Sequence, residues 1–120
     1  MIQKLKNDEK LPIYGDGKNV RDWIHVQDHC EAIDIVLHKG NDGEVYNIGG
    51  ECEKRNIDII EFLLTNLKKS YDLIEFVEDR KGHDWRYAMG ISKIKNKLGW
   101  SPRIKFENGI KDVLKWKKHT

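Results

Sequence analysis

The sequence predicts a compact α/β domain, because helical patterns alternate with short β-prone runs along its 120 residues and no repeat or low-complexity linker interrupts them. "MIQKLKND" reads as the second half of a helix whose start is missing. After the turn "YGDGK", "KNVRDW" reads as extended. Asp28, with Glu31 at the capping-box position, is expected to cap a helix with Val26, Cys30, Ile33 and Leu37 on its apolar face and Gly40 at its end. "GEVYNIGG" predicts a short strand over Val45 to Ile48, closed by a glycine pair. A second helix is expected to open at Asn56, serving as its cap, with Ile57, Ile60, Leu64 and Leu67 on one face. "LIEFV", Leu73 to Val77, predicts another strand. Ser92 is placed as the cap of a short helix that Gly99 and Pro102 stop. Phe106, Ile110, Val113 and Leu114 predict the last amphipathic helix, running into "KWKKHT".

Composition narrows the function classes. Charged residues make up 35%, both signs are interspersed, and the net charge is +2. Such a chain carries no basic footprint for nucleic acid, and no run has the length of a membrane span. Cys30 and Cys52 do not form a Cys-x-x-Cys pair, so reduced thiols in a cytoplasmic protein are expected.

"YGDGK" superimposes two nucleotide-enzyme patterns, Gly-x-Gly and Tyr-x-x-x-Lys. The second needs Tyr14 and Lys18 one helical turn apart, so that the ammonium lowers the phenol pKa. Gly15 and Gly17 around Asp16 favour a turn instead, at roughly 1 kcal/mol per glycine against a helix. Gly-x-Gly also lacks the third glycine and the following helix of a pyrophosphate site. A catalytic role is therefore rejected.

His25 and His29, four apart, have no third ligand at metal spacing, which favours structural or solvated roles and no metal. Asp16, Lys18 and Asn19 do not satisfy a calcium loop. Lys111, Lys115, Lys117 and Lys118 are read as a solvated helix face. The polar concentration lies elsewhere. Arg21 sits in "NVRDW", and "EDRKGHDWRY", Glu78 to Tyr87, gathers arginines, a histidine and aromatics after a predicted strand. Arginine forks suit phosphate, although composition alone favours a surface ion-pair cluster among Asp79, Arg80, Asp84 and Arg86.

The ordered series "LPIYGDG", "NVRDWIHVQDHCEAIDIVLHKG", "GEVYNIGG", "EKRNIDII", "DRKGHDWRYA" and "SKIKNKLGWSPRIKFENGI" resembles the C-terminal part of dTDP-glucose 4,6-dehydratases, in the extended short-chain dehydrogenase/reductase superfamily. The resemblance runs from about Met1 to Trp116. "VRDW", "YNIGG" and "GHDxRYA" are specific in combination; the first two also occur in related sugar epimerases and decarboxylases. It implies a small mixed α/β substrate-binding subdomain that lacks the Rossmann half, with residues 1–120 as one domain. It implies that Pro12, Ile13 and Tyr14 line a base and ribose pocket and that Arg21 approaches the pyrophosphate. Asn56 would contact the nucleotide, and Asp79, Arg80, Gly82 and His83 would close over the phosphates and sugar.

Lys81 stands where the family has proline, Trp85 where arginine is common, and Gly90 where an aspartate is usual, so the geometry of this loop departs from the family's. In the complete enzymes NAD oxidises the sugar at C4, water leaves across C5 and C6, and hydride returns to C6. This chain carries neither the glycine fingerprint nor a helical Tyr-x-x-x-Lys nor a Thr-Asp-Glu triplet. It is expected to hold a dTDP-hexose, to bind no NAD and to have no catalytic residue of its own. It would work with a separate NAD-binding half or self-associate. The alternatives are a stand-alone nucleotide-sugar-binding or regulatory module, or the same portion of an epimerase or decarboxylase.

Overall fold

A computed structural model describes residues 1–116; the expectations for Lys117 and Lys118 lie outside the described residues. The elements in order are α1 (Ile2–Lys6), β1 (Leu11–Tyr14), β2 (Val20–Asp22), α2 (Val26–Lys39), β3 (Glu53–Arg55) and α3 (Asn56–Leu67). A single 3-10 turn (Tyr71–Leu73) leads into β4 (Ile74–Val77), followed by α4 (Ser92–Leu98) and α5 (Phe106–Lys115). No described helix is long and apolar enough to cross a membrane. The chain forms two compact units, one of Met1–Arg21 with Lys54–Tyr87 and one of Asp22–Glu53 with the chain from Ala88 onward.

In the first unit β1 and β4 pair in parallel, with Leu11 opposite Ile74 and Tyr14 opposite Val77. Leu11 and Ile13 are buried while Pro12 and Tyr14 face out, the period-two alternation of a half-buried strand. Four residues containing a proline gave no strand signal in the sequence. Pro12 lacks the N–H a central strand needs, but among the described residues β1 has one strand neighbour, β4. On α3 the buried side chains are Ile59, Ile60, Leu63 and Leu64, and α1 packs against this helix with Leu5 fully buried. The helix begins at Asn56, but Arg55 is its cap. Asp58 accepts from the Arg55 backbone N–H and, through both carboxylate oxygens, from its guanidinium. The hydrogen bond from Arg55 holds the Asp58 carboxyl below its usual range. Asn56 is thereby moved one position into the helix.

The second unit closes around Ala32, Ile91, Ile94 and Trp100, with Ile24, Ile35, Val36, Tyr46, Ile48 and Leu98 packed against them. Four expectations are corrected here. The cap of α2 is His25, whose ring Nδ1 accepts from the Gln27 N–H. Asp28 is instead 1% exposed and accepts the backbone N–H groups of Arg103 and Ile104 at 3.1 and 2.9 Å. The face of α2 turned to the core carries Asp28 and Ala32, whereas Val26, Ile33 and Leu37 are 51%, 50% and 77% exposed and Cys30 is exposed. The predicted strand at 45–48 does not form a ladder. It keeps a strand's alternation, with Tyr46 and Ile48 half-buried and Val45 and Asn47 exposed, but pairs with no strand among the described residues. Ser92 is the first residue of α4, behind an Ile91 cap, and Gly99 ends the helix at φ +71°.

Two hydrogen bonds within the second unit fix the loop at Gly50 to Cys52. The Asp22 carboxylate accepts from Gly50 N–H and Cys52 N–H, both at 2.9 Å. A Cβ on Gly50 would lie 1.9 Å from the Trp23 carbonyl oxygen, a distance no side chain tolerates.

Asp28→Ala leaves the Arg103 and Ile104 N–H groups without their acceptor and is expected to cost about 2–4 kcal/mol, read as a lowered urea midpoint. Gly50→Ala is expected to unfold the second unit, because the obstructing atom is backbone. Loss of near-ultraviolet dichroism checks it, and a native-like spectrum and melting temperature would contradict this packing.

Candidate functional site

Every residue that the sequence assigns to ligand binding falls in the first unit. Tyr14 ends β1 and is 47% exposed. The Arg80 guanidinium lies over its ring, 5.8 Å from the centroid, and the His83 ring meets it edge-on at 6.1 Å. His83 Nδ1 and Asp79 Oδ1 are 2.6 Å apart, with the His83 side chain 7% exposed. Asp79 Oδ1 also accepts the Arg80 N–H at 2.8 Å. The hydrogen bond from His83 is the main cause that holds the Asp79 carboxyl below its usual range. Asp79 thus braces both its neighbour and the histidine, while Arg80 rests on an aromatic face that shields one side of the cation. Gly82, at φ +66° with open space around its Cα, supplies the turn between Arg80 and His83.

A second group forms around Arg21. Its Nη1 donates to the carbonyls of Val20 and Asp84, at 2.7 and 3.2 Å, and its guanidinium lies 5.0 Å from the Tyr87 ring centroid. The buried Asn19 donates its amide to the same Asp84 carbonyl at 3.0 Å. Val20 N–H donates to Trp85 and Tyr87 N–H to Val20, at 2.8 and 3.0 Å. The loop after β4 is therefore laced strand-like against residues 19–21. The Asp84 carboxylate, accepting from the Tyr87 hydroxyl, raises that phenol's pKa. Both arginines are held by groups that leave part of each fork available, the arrangement that suits a phosphate oxygen.

Two predicted roles change. Ile13 is 3% exposed and faces the unit's core, so it shapes the site only by fixing the strand beneath Tyr14, while Pro12 shares the outward face. The N-terminus of α3 is not an open anion site, because Asn56 N–H donates to Asn19 and Ile57 N–H to Gly17, at 3.0 and 2.8 Å. Asn56 keeps its side-chain amide, which has no protein partner among the described residues. Asn19 and Tyr87 were missed. Their signal is positional, since each lies within two residues of Arg21 in sequence or in the bridge between Val20 and Arg86.

"YGDGK" is a turn, closed by the Lys18 N–H on Asp16 Oδ1 at 2.9 Å and followed by β2. It does not fit a dinucleotide. A Cβ placed on Gly15 would lie 3.0 Å from an Asp79 carboxylate oxygen, an anion where a pyrophosphate would need donors. Gly17 is filled by Ile13 and Ile57. His25 serves as a helix cap and His29 is exposed. No group of three or more acidic, His or Cys side chains that could hold a metal occurs among the described residues.

The family model described as GDP-mannose 4,6 dehydratase matches residues 1–113. Among curated relatives, the low-salt glycan biosynthesis protein Agl12 of Haloferax volcanii is 53% identical over 91% of this chain and 35% of its own. A dTDP-glucose 4,6-dehydratase of Xanthomonas campestris is 46% identical over 97% of this chain and 36% of its own. Among solved structures, dTDP-glucose 4,6-dehydratase from Bacillus anthracis, in complex with NAD, is 51% identical at a TM-score of 0.89, covering 96% of this chain and 36% of that one. UDP-glucose 4-epimerase from Thermotoga maritima, with UDP-glucose, is more distant at 28% identity and a TM-score of 0.87, covering 94% and 36%. The chain thus spans about a third of the length of the relatives it matches. With the model matched over nearly all its residues, the chain belongs to the GDP-mannose 4,6 dehydratase family, within the extended short-chain dehydrogenase/reductases.

Proposed function

We propose that this chain is the nucleotide-sugar-binding, C-terminal portion of a dTDP-glucose 4,6-dehydratase. The observation that carries the reading is the joint placement of Arg21, Tyr14, Arg80 and His83 around one loop of the first unit, in a chain 46% identical to a dehydratase of that name. In it, Arg21 and Arg80 meet the diphosphate, Tyr14 with Pro12 offers a face to the base, and Asn56 supplies an amide. Asp79 and His83 hold the loop that Gly82 turns. NAD and the acid/base groups belong to a separate NAD-binding half, so this chain alone is inactive. The same reading puts the protein in the cytoplasm, where its two free cysteines stay reduced.

A second reading, the same portion of a uridine-nucleotide epimerase, rests on the likeness to UDP-glucose 4-epimerase. Titrating dTDP and UDP separately by calorimetry at low salt tests both. The expectation is weak, salt-sensitive binding of dTDP, tighter than UDP, because open arginines are screened over about 8 Å at physiological ionic strength. Arg21→Ala and Arg80→Ala are each expected to weaken it by roughly tenfold, as for a charge-assisted hydrogen bond of about 1.5 kcal/mol. Equal binding by both variants would put the site elsewhere, and a preference for UDP would favour the epimerase.

The purified chain with NAD and dTDP-glucose is expected to release no 4-keto-6-deoxy product, followed by its alkaline absorbance. Turnover above a blank would overturn the division of labour proposed here.

A further inference from the structure

Asn19 and Asp28 are the buried polar side chains among the described residues. Asp28 braces the second unit, whereas Asn19 lies in the first, two residues before Arg21. At 4% exposure its carboxamide has given up water, and a polar group so placed has to keep its hydrogen bond. Its Nδ2 donates to the Asp84 carbonyl at 3.0 Å. Only the NH2 end of the amide can face a carbonyl, so the orientation of the side chain is fixed by chemistry. Arg21 Nη1 donates to the same oxygen at 3.2 Å, and both lone pairs of that carbonyl are thereby taken.

Nη1 of Arg21 is mounted at two points, the Val20 carbonyl at 2.7 Å and the Asp84 carbonyl at 3.2 Å. The first is fixed by the backbone, because Val20 donates to Trp85 and accepts from Tyr87. The second belongs to the loop that carries Arg80 and His83, and Asn19 is the side chain that holds it in place. The backbone carbonyl of Asn19 also accepts the Asn56 N–H at 3.0 Å. One residue thus joins the start of α3, the approach to β2 and the loop after β4.

We infer that Asn19 is a positioning residue of the proposed nucleotide-sugar site. Its amide fixes the Asp84 carbonyl and through it the direction of the Arg21 fork, and its burial keeps it from touching the ligand. The inference rests on the reading proposed above and adds what aims Arg21 within that site. A guanidinium held at two points has less rotamer freedom left to lose when a phosphate arrives. Asn19→Ala leaves the Val20 mount in place but frees the Asp84 carbonyl to turn, so Arg21 is left on one point.

Two arms test this. The first uses the ligand-free chain and reads the Arg21 Nε–H by nitrogen-15 relaxation, its signal assigned by its loss in Arg21→Lys. An order parameter near that of rigid backbone, about 0.85, is expected, falling below about 0.6 in Asn19→Ala. Leu63→Ala, a core truncation in the same unit, is expected to lower the melting temperature and leave Arg21 rigid. An equally rigid Arg21 in a folded Asn19→Ala would overturn the inference. Hydrogen exchange in the wild-type chain gives a readout that does not depend on the variant folding. The Asn19 side-chain amide is expected to exchange at least roughly tenfold more slowly than that of the exposed Asn41, and equal rates would remove the bond on which the inference stands.

The second arm titrates dTDP into Asn19→Ala, Arg21→Ala and the double variant by calorimetry at low salt. Asn19→Ala is expected to weaken binding on the order of fivefold, as for one neutral hydrogen bond. The double variant is expected to bind no more weakly than Arg21→Ala alone, because Asn19 acts through that arginine. Losses that multiply would make Asn19 a general support of the fold and count against the inference. Failure of the wild-type chain to bind dTDP would sink the ligand reading alone, since the relaxation and exchange readouts involve no nucleotide.

Discussion

The carboxylate of Asp22 is the constraint on which the second unit depends. It accepts two backbone N–H groups from a loop 28 and 30 residues away, where glycine is obligatory because the Trp23 carbonyl leaves no room for a Cβ at Gly50. A carboxylate that accepts two amides fixes both the direction and the depth of the loop it holds. With the loop fixed, Tyr46 and Ile48 reach the core around Ile94 and Trp100, although no strand among the described residues pairs with that segment. "VRDW" and "YNIGG" are thus two halves of one contact. That contact explains why they carry a family resemblance together and little apart.

The neighbour of Asp22, Arg21, belongs to the proposed ligand site. Arg21 is not a free cation waiting for a ligand; the carbonyls of Val20 and Asp84 hold it and Tyr87 lies beneath it. Arg80 has a comparable support in Tyr14. An arginine pinned through part of its fork has already lost much of its rotamer freedom before a phosphate arrives, so less entropy is spent at binding. Asp79, half-exposed, commits one carboxylate oxygen to both His83 and the Arg80 backbone.

Much of this was legible in the sequence where periodicity or turn chemistry is local. Gly99 ends α4 and Asn56 opens α3 as their patterns indicate, and the two glycines around Asp16 do form a turn. Failures gather where a distant partner decides. β1 is four residues with a proline, made a strand by β4 some sixty residues on. Val45 to Ile48 has strand composition but no ladder partner among the described residues. Asp28 looks like a cap by spacing, yet it is drawn into the interior by the amides of Arg103 and Ile104. The apolar run of α2 is real; its orientation was misread, since periodicity shows that a stripe exists and not what it faces. Arg21, Tyr14 and His83, which the motifs single out, do gather around one loop of the proposed site. The inward turn of Ile13 and the occupied amides at the start of α3 needed coordinates.

The order in which the chain visits its two units has a consequence for its synthesis. The first unit takes residues 1–21 and then 54–87, and the second takes 22–53 and then the chain from 88 onward. On a ribosome, β1 must therefore wait for β4, held open while the whole first half of the other unit emerges. That half in turn waits for Ile91, Ile94 and Trp100. Nascent chains fold as units where each unit is continuous; here neither can finish before the other has begun. No single cut through the backbone parts the two units intact. A break at any point up to residue 87 divides the first, and one after residue 87 divides the second.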